Sequence, residues 1–273
     1  MVRSDSHLQT ERSPAKRAVK WPFYRWFIPR IDGCLAAGQW SSDYFLHYGA
    51  SSERVFIVPH VIDTAYFRRQ AEQLKGQRGV LRTHWGLDAA TTVFLFAGKF
   101  TEVKRPLDFV RAVGDAARTG SPVAGLMAGD GPERAGCEAF ARSNSIPISF
   151  TGFLNQSEIA QAYVAADALV LPSETETWGL VANEAMACGA PCFVTDSVGC
   201  GPDLIEEGKT GYIFRKGDTA ALTSLMISGA KDEGFLKTMS EKVNMKAEEY
   251  SVAKGVEAIM RAAETVTHRR LAY

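Results

Sequence analysis

The sequence predicts an α/β fold in which helices cover both faces of a parallel sheet. From residue 31 onward, short apolar runs alternate with longer amphipathic segments. Strands that alternate with helices form parallel sheets, because each helix carries the chain back across a face of the sheet. Several apolar runs also end in glycine or proline, as is typical of strands that lead into a turn.

The predicted strands are apolar runs short enough to be buried on both faces of a sheet. They cover residues 31–38, 55–60, 92–98, 123–129, 148–152, 168–172, 191–196 and 211–214. Gly98, Gly129 and Gly152 end three of them. Pro59 and Pro172 end two others, because proline lacks the N–H that would continue a ladder.

The predicted helices lie between these strands and carry helix start or stop signals. They cover residues 39–49, 106–118, 132–143, 157–166, 179–188, 218–229 and 234–266, with a short turn at 202–206 and a helical stretch between 63 and 90. Ser41 or Ser42, and Ser157, are the predicted N-caps. Pro106 suits the first turn of its helix, and Gly189 supplies a left-handed stop.

The composition is that of an ordinary globular chain of 273 residues, with 46% hydrophobic and 23% charged residues. Lys plus Arg and Asp plus Glu both number 31, so net charge offers no general attraction to nucleic acid. No apolar stretch is long enough to span a bilayer, and the N-terminus lacks a signal-peptide core. The five scattered cysteines predict buried thiols in a reducing, cytoplasmic setting, although Cys188 and Cys192 leave a metal clip open.

Residues 1–20 are polar and predict an irregular terminus. Residues 21–30, WPFYRWFIPR, mix aromatic side chains with arginines, which suits either a membrane surface or a helix packed on a neighbouring element. The packed helix is favoured, because Pro22 and Pro29 leave little room for a long amphipathic helix.

Two cations follow the strand at residues 92–98. In the stretch FAGKFTEVKRP, Gly98 allows a tight turn, and Lys99 and Lys104 follow it on a loop. A diphosphate would suit such a pair, and a solvated basic loop is the alternative. The later stretch AGDGPER fits neither common phosphate-loop pattern, so Asp130 is interpreted as a turn residue.

The stretch SETETWGLVANEAMACGAP combines a helix beginning with three glutamates. Gly179 lets a ligand approach the backbone, and the free N–H groups at the helix start favour an anion. Glu184 lies on the same helical face as Leu180 and Cys188, and a carboxylate buried there would need a donor such as a ribose hydroxyl. Glu176 lies on the preceding loop, and surface charge is the alternative interpretation of both.

The spacing Glu176-x7-Glu184, with Trp-Gly-Leu between and Glu-Ala-Met-Ala-Cys-Gly-Ala-Pro after, resembles the signature of retaining GT-B glycosyltransferases of the group-one type. The segments VPHVIDTAYF, AGKFTEVKRP, AGDGPER, FTGFLNQSEIAQAYVAADALVLPS and GKTGYIF match the family in the expected order, over about residues 31–230. His60-Val61 stands where the family usually has Asn-Gly. The resemblance implies a Rossmann-like sheet that forms the C-terminal half of a GT-B fold.

The resemblance also implies the site residues. Those expected to bind the donor are Gly98, Gly152, Phe153, Gly179, Leu180, Val181 and Glu184, and those expected to act in catalysis are Lys99, Lys104 and Glu176. The two lysines would neutralise the diphosphate leaving group, although Lys99 replaces the usual arginine and its bidentate fork. Glu184 would hold the ribose, Glu176 would orient the donor sugar, and Gly152 with Phe153 would border the base.

The expected substrate is a nucleotide-diphosphate sugar, with a hexosyl group passed to an acceptor of unspecified class with retention, in polysaccharide biosynthesis. No metal, no cofactor and no nucleic acid are expected. A peripheral membrane contact stays open for residues 21–30.

The expected organisation departs from a complete GT-B enzyme. Residues 1–62 predict an α/β remnant of an N-terminal acceptor domain, 63–90 a junction, 91–235 the nucleotide-sugar-binding domain and 236–273 a C-terminal helical segment. The chain is then a fragment, or a separate polypeptide supplies the N-terminal half, or donor binding remains without catalysis. The long C-terminal helix is expected to have little to pack on.

Three functions follow as hypotheses. The first is the donor half of a glycosyltransferase, and the second is a non-catalytic nucleotide-sugar-binding subunit or sensor. The third, an NAD-dependent dehydrogenase, is disfavoured because no G-x-G-x-x-G follows the first strand and no acidic residue stands at the distance that a ribose contact needs.

Overall fold

The computed structural model describes residues 1–9 and 13–271. Its contacts divide the chain into two compact units. The small unit contains Met1–Ile62 together with Glu249–Tyr273, and the large unit contains Asp63–Glu248.

Both units are built from parallel strands and helices. The strands are β1 (Val2–Ser4), β2 (Cys34–Ala36), β3 (Val55–Ile57), β4 (Thr92–Ala97), β5 (Val123–Ala128), β6 (Ile148–Gly152), β7 (Ala168–Leu171), β8 (Cys192–Thr195) and β9 (Gly211–Phe214). The helices are α1 (Pro14–Phe27), α2 (Gln39–His47), α3 (Thr64–Leu74), α4 (Arg78–His84), α5 (Pro106–Arg118), α6 (Arg134–Ser143), α7 (Ile159–Ala165), α8 (Leu180–Ala187), α9 (Gly201–Leu204), α10 (Thr219–Lys231), α11 (Glu233–Glu248) and α12 (Val252–Leu271).

The large unit contains a six-stranded parallel sheet in the order β6-β5-β4-β7-β8-β9. Chain order runs outward from β4 in one direction and outward from β7 in the other. The strand order therefore reverses between β4 and β7, and ligands of doubly wound sheets bind beyond the carboxyl ends of the strands at such a point. The prediction of an α/β fold with a parallel sheet is confirmed.

Helices cover both faces of this sheet. Side chains alternate along β4, so Phe94 and Phe96 join one core cluster with Phe109 of α5 and Met226 of α10. Two further helices pack directly on the sheet: α7 packs against β4 and β5, and α8 packs against β7 and β8. Helix α3 contacts both α7 and α8. The central strands are thus buried on both sides, which explains their nearly continuous apolar sequence.

The small unit contains a three-stranded parallel sheet in the order β1-β2-β3. Ala262 of α12 is fully buried and packs with Leu35 and Val58. The expectation that the C-terminal helix has little to pack on is wrong, because α12 belongs to the same compact unit as these strands.

The terminal helical prediction misses one interruption. The predicted helix at 234–266 is two helices, α11 and α12, separated by residues 249–251. Tyr250 and Ser251 are buried, and Ser251 pairs with Ile62 in an isolated bridge. Because the chain passes between the two units here, tertiary packing overrides local helix propensity.

The N-terminal prediction is wrong for most of the described residues. Val2–Ser4 form β1, and α1 continues through Pro22 to Phe27. A helix tolerates an internal proline when packing compensates for the lost hydrogen bond, so Pro22 does not shorten α1 as expected. Residues 10–12 of this predicted irregular segment lie outside the described part of the chain.

Two predicted N-caps are also wrong. Gly38, rather than Ser41 or Ser42, precedes α2, and Glu158 precedes α7. The hydroxyl of Ser157 instead donates to the Asn155 side chain at 2.7 Å, so Ser157 belongs to a turn before the helix. In the part of the chain that the structure describes, no helix is long and apolar enough to cross a bilayer.

Candidate functional site

A cavity of about 810 Å³ opens at the carboxyl edge of the six-stranded sheet. Its walls come from the segments after β4, β5 and β6, from α7 and from the first turns of α8. Lys99 stands on one of these segments, Phe153 on another, and Val181 and Glu184 on α8. The cavity therefore lies beside the reversal of strand order, where the fold leaves room for a ligand.

The floor of the cavity is backbone packed closely on backbone. A Cβ on Gly129 would lie 1.9 Å from the carbonyl oxygen of Gly98, and one on Gly131 would lie 2.5 Å from that of Phe100. Gly129 and Gly131 also have φ values of 134° and 154°. Only glycine fits these positions, so the ends of β4 and β5 meet without side chains between them.

Glu184 is held by a tyrosine from the neighbouring helix. The hydroxyl of Tyr163, which is almost fully buried, donates to Oε2 of Glu184 at 2.7 Å. Burial raises the pKa of Glu184, and the hydrogen bond from Tyr163 acts in the opposite direction. Burial also raises the pKa of Tyr163 well above its ordinary value, so the phenol stays a hydrogen-bond donor.

The helix beginning next to this carboxylate is open to an anion. Gly179, with a φ of 105°, is the N-cap of α8, and no side chain caps the helix. The N–H groups of Leu180 and Val181 therefore lack helical carbonyl partners, as at every helix start. Val181 lines the cavity, whereas the Leu180 side chain is 42% exposed and lies outside its lining.

The predicted lysines take different positions. Lys99 is exposed and lines the cavity. Lys104 forms an ion pair with Glu176, and both side chains are mostly buried, at 28% and 17% exposure. Ser173 adds a hydrogen bond to Oε2 of Glu176 at 3.3 Å. Lys104 and Glu176 thus form a second cluster, outside the lining of the cavity.

The loop that carries Glu176 is tied down on two sides. The Glu174 N–H donates to the carbonyl of Val103 at 2.8 Å, which joins this loop to the one that carries Lys104. The Glu176 N–H donates to the carbonyl oxygen of Ser197 at 3.1 Å. The carbonyl oxygen of Glu176 accepts from the N–H of Gly199 at 3.0 Å. The loop position is therefore set by backbone contacts with both neighbours.

A buried pair closes the same loop against α8. The indole N–H of Trp178 donates to Oδ1 of Asn183 at 2.8 Å, and both side chains are buried. Sequence reasoning missed Tyr163, Trp178 and Asn183 as parts of the site. Asn183 is adjacent in sequence to Glu184 and Trp178 is two residues from Glu176, which is a signal that could have found these two. Tyr163 had no such signal, because it lies 21 residues from Glu184 in the chain.

The remaining predicted residues lie around the cavity rim or behind it. Phe153 lines the cavity and is 75% exposed. Gly152 ends β6 with a φ of 77°, and its carbonyl accepts from the N–H of Gly129 at 2.8 Å. The structure therefore brings Gly98, Lys99, Phe153, Val181 and Glu184 into one cavity lining. Gly152 and Leu180 are adjacent in sequence to members of that lining, and Gly179 is two residues before Val181.

Arg105, beside Lys104 in the sequence, is committed to other contacts. Its guanidinium pairs with Asp108 at 2.6 Å and with Glu174 at 2.8 Å. Lys216 also pairs with Glu174, at 2.9 Å. Arg105 therefore stabilises the loop that contains Glu174. Lys99, rather than Arg105, is the cation that lines the cavity.

The described thiols and acidic groups are not arranged as a metal centre. Within residues 1–9 and 13–271, no group of three or more His, Cys, Asp or Glu side chains is arranged to hold a metal ion. Burial raises the pKa of Cys188 to about 12, so its thiol stays protonated at neutral pH.

Residues 78–248 match the family of glycosyl transferases group 1. The chain belongs to this family. Its members transfer a sugar from a nucleotide sugar. The matched region contains the cavity, the ion pair of Lys104 with Glu176 and the α8 helix start.

Curated relatives agree with this assignment at modest identity. The chain is 32% identical over 180 residues to N-acetyl-alpha-D-glucosaminyl L-malate synthase of Bacillus anthracis, covering 66% of this chain and 45% of that protein. It is 31% identical over 223 residues to D-inositol 3-phosphate glycosyltransferase of Streptomyces bingchenggensis, covering 78% of this chain and 48% of the relative. The chain thus spans about half the length of the curated relatives that it matches.

Solved structures of glycosyltransferases share the fold. HepE from Anabaena, in complex with UDP and glucose, matches with a TM-score of 0.73 at 18% identity, over 96% of this chain and 71% of that one. Sucrose-phosphate synthase from Thermosynechococcus elongatus matches with a TM-score of 0.74 at 18% identity, over 98% and 67% of the two chains. These neighbours are GT-B glycosyltransferases, and what the chain shares with them at this identity is the fold.

Proposed function

We propose that this chain binds a nucleotide-diphosphate sugar in the 810 Å³ cavity and acts as the donor-binding part of a retaining glycosyltransferase. The observation that carries the proposal is the meeting of Lys99, Glu184 and an uncapped helix start around one hollow. Membership of the group 1 family supports it, as does the presence of UDP and glucose in the structurally similar HepE.

The nucleoside end is assigned to the side of the cavity that contains Glu184 and Phe153. The Glu184 carboxylate accepts hydrogen bonds from ribose hydroxyls, which replace the water lost on burial. Phe153 is exposed at the cavity and offers its ring to the base, with Gly152 beside it.

The diphosphate is assigned to the α8 helix start and the lysines. The N–H groups of Leu180 and Val181 donate to phosphate oxygens, and Gly179 leaves the backbone accessible. Lys99 and Lys104 neutralise the charge that builds on the leaving diphosphate, so this step is proposed without a metal or other cofactor. A lysine at position 99 acts as a point charge and lacks the bidentate geometry of arginine.

Glu176 is assigned to the donor sugar. In the structure its carboxylate pairs with Lys104. Donor binding then supplies phosphate to Lys104 and sugar hydroxyls to Glu176, so that each partner of the ion pair gains a contact with the substrate. This exchange keeps the buried charges compensated in both states.

The test is nucleotide binding by the full 273-residue chain, measured by calorimetry with UDP, GDP, ADP and their sugar conjugates. We expect one nucleotide to bind and Glu184→Ala to weaken binding about 10- to 100-fold, since a charged hydrogen-bond partner is lost. Glu207→Ala is the control, because Glu207 is exposed and outside the cavity lining. No binding across the panel, or equal losses in both variants, would overturn the proposal.

A non-catalytic nucleotide-sugar-binding subunit is the second candidate. It is favoured by one observation, that Lys104 and Glu176, the residues assigned to the reacting sugar and its leaving group, pair with each other outside the cavity lining. A separate N-terminal-half polypeptide would then supply the acceptor site. For both candidate functions, the proposed cellular location is the cytoplasm. Donor hydrolysis by the chain alone, abolished by Lys104→Ala, would decide for the catalytic function; binding without turnover favours the subunit.

A further inference from the structure

Helix α1 exposes a row of apolar side chains that its own unit does not cover. Val19, Phe23, Trp26 and Phe27 are 77%, 56%, 56% and 37% exposed. Their spacing of four, three and one residues places them on one face of the helix. These four side chains are here termed the α1 aromatic face.

The α1 aromatic face is continuous. The rings of Phe23 and Phe27 stack with centroids 5.7 Å apart, and the rings of Phe23 and Trp26 lie 6.4 Å apart. A contiguous apolar patch on a surface marks an interaction site, whereas isolated exposed apolar residues do not.

The other side of α1 anchors the helix in the small unit. Ile28, just after α1, is buried in a cluster with Tyr44 and Tyr48, against which Tyr24 also packs. The Tyr24 ring lies 5.2 Å from that of Tyr48. The core therefore uses one side of the helix and fixes its orientation, which leaves the α1 aromatic face available to a partner.

Positive charge lies at both ends of this face. Lys16 stands three residues before Val19 and Arg30 three residues after Phe27, both are exposed, and the sequence from residue 13 to residue 31 contains no acidic residue. The guanidinium of Arg30 lies 4.8 Å from the Trp26 ring, so cation and aromatic ring share one surface. Because the whole chain has a net charge of zero, this basic character is local to α1 and its flanks.

We propose that the α1 aromatic face lies on an anionic lipid bilayer. Tryptophan and phenylalanine enter the headgroup boundary, and lysine and arginine beside them meet lipid phosphates. A second copy of the chain, docked through the same face by two-fold symmetry, would bring the cations of the two helices together. The apolar side chains and the cations of α1 are complemented by a surface that is acidic outside and apolar inside. A bilayer with anionic lipids has such a surface.

The test is co-sedimentation of the 273-residue chain with vesicles. Vesicles of phosphatidylcholine alone are compared with vesicles that contain about 30% phosphatidylglycerol. We expect binding to the anionic vesicles only, reduced about tenfold or more when NaCl rises from about 0.05 M to about 0.5 M. Sedimentation that does not depend on anionic lipid would overturn the proposal.

Substitutions separate the apolar and ionic parts. Phe23→Ser with Trp26→Ser should lower the vesicle partition coefficient at least about tenfold, because the two aromatic rings that enter the headgroup boundary are lost. Lys16→Gln should lower it about fivefold. Val80→Ser with Met245→Ser is the matched control, since these exposed apolar side chains, at 69% and 70% exposure, lie in the large unit.

Trp26→Phe keeps the apolar face and removes one fluorophore. It should sediment with the vesicles as the unchanged chain does, while the lipid-induced blue shift of tryptophan emission becomes smaller. Equal sedimentation of the Phe23→Ser, Trp26→Ser variant and the unchanged chain would overturn the proposal. So would a dimer, seen by analytical ultracentrifugation, that this double substitution dissociates while no vesicle binding occurs.

Discussion

Glu184 is a residue whose charge state decides what it can bind. Its carboxylate is partly buried, which raises its pKa, and the Tyr163 hydroxyl supplies the hydrogen bond that favours the ionised form. A ribose would add further donors to that form. The residue scale therefore predicts how nucleotide binding depends on pH and on this one hydroxyl group.

Nucleotide affinity should fall as the pH is lowered through the pKa of Glu184. Ribose hydroxyls donate to the carboxylate, so binding selects the ionised form and releases a proton where the free carboxyl is protonated. Below that pKa, which lies above the ordinary glutamate value, affinity should drop by up to about tenfold per pH unit. Calorimetry in buffers of different ionisation enthalpy measures both effects. Glu184→Gln should bind weakly and without this pH dependence, and an unchanged slope in that variant would contradict the assignment.

Tyr163→Phe should weaken nucleotide binding about three- to tenfold at neutral pH, because the carboxylate loses a charged hydrogen bond. Its pH profile should also move upward, since the hydrogen bond that lowers the pKa of Glu184 is gone. Tyr212→Phe is the control, because Tyr212 stacks on Phe235 and lies outside the cavity lining. Equal affinities for the two variants would show that Tyr163 does not orient Glu184.

At the scale of elements, the site depends on how the loop between β7 and α8 is held. Gly199, in the segment after β8, approaches this loop so closely that an added Cβ would lie 2.0 Å from the Thr177 carbonyl oxygen. The same glycine donates its N–H to the carbonyl of Glu176 at 3.0 Å. A side chain here would move the segment that carries Glu176 away from its neighbours.

Gly199→Ala should lower the free energy of unfolding by about 1–3 kcal/mol and shift the β7–α8 loop. Because Glu176 is assigned to the sugar, affinity for a nucleotide sugar should fall more than affinity for the nucleoside diphosphate. Gly136→Ala is the matched control, since Gly136 lies in α6 with open space around it. That control should raise stability by about 0.5–1 kcal/mol and change neither affinity. Equal effects of the two substitutions would contradict this account of the loop.

At the scale of the whole molecule, the candidate site belongs to one unit. Every predicted site residue lies in Asp63–Glu248, whereas β1, β2, β3, α1, α2 and α12 lie in the small unit. The large unit contains its own core, which includes Phe94, Phe109 and Met226. Damage to the small unit should therefore leave nucleotide binding intact.

Phe45→Ala, in the core of the small unit, should cost that unit about 3–5 kcal/mol while nucleotide affinity stays within about twofold. Phe109→Ala, in the core beneath the sheet, should reduce both stability and affinity. Hydrogen exchange locates the loss of protection, and calorimetry measures binding. A large loss of affinity in Phe45→Ala would show that the site needs the small unit.

The alternation of strands and helices was predictable because its signals are local. α5, β6 and β9 have the bounds that the sequence predicts, since proline, glycine and apolar runs mark them directly. β1 was not predictable, because Val2–Ser4 become a strand only by pairing with β2. The roles of the site residues stay predictions, although the cavity brings five of them together.

By itself, the sequence determined the α/β fold and the helix start at Gly179, because periodicity and glycine positions act within a few residues. Only the tertiary structure decided that Tyr163 reaches Glu184 and that Lys104 pairs with Glu176. These partners are 21 and 72 residues apart in the chain. They meet because a parallel sheet gathers the carboxyl ends of separate strands at one edge, and burial there leaves each charge in need of a partner.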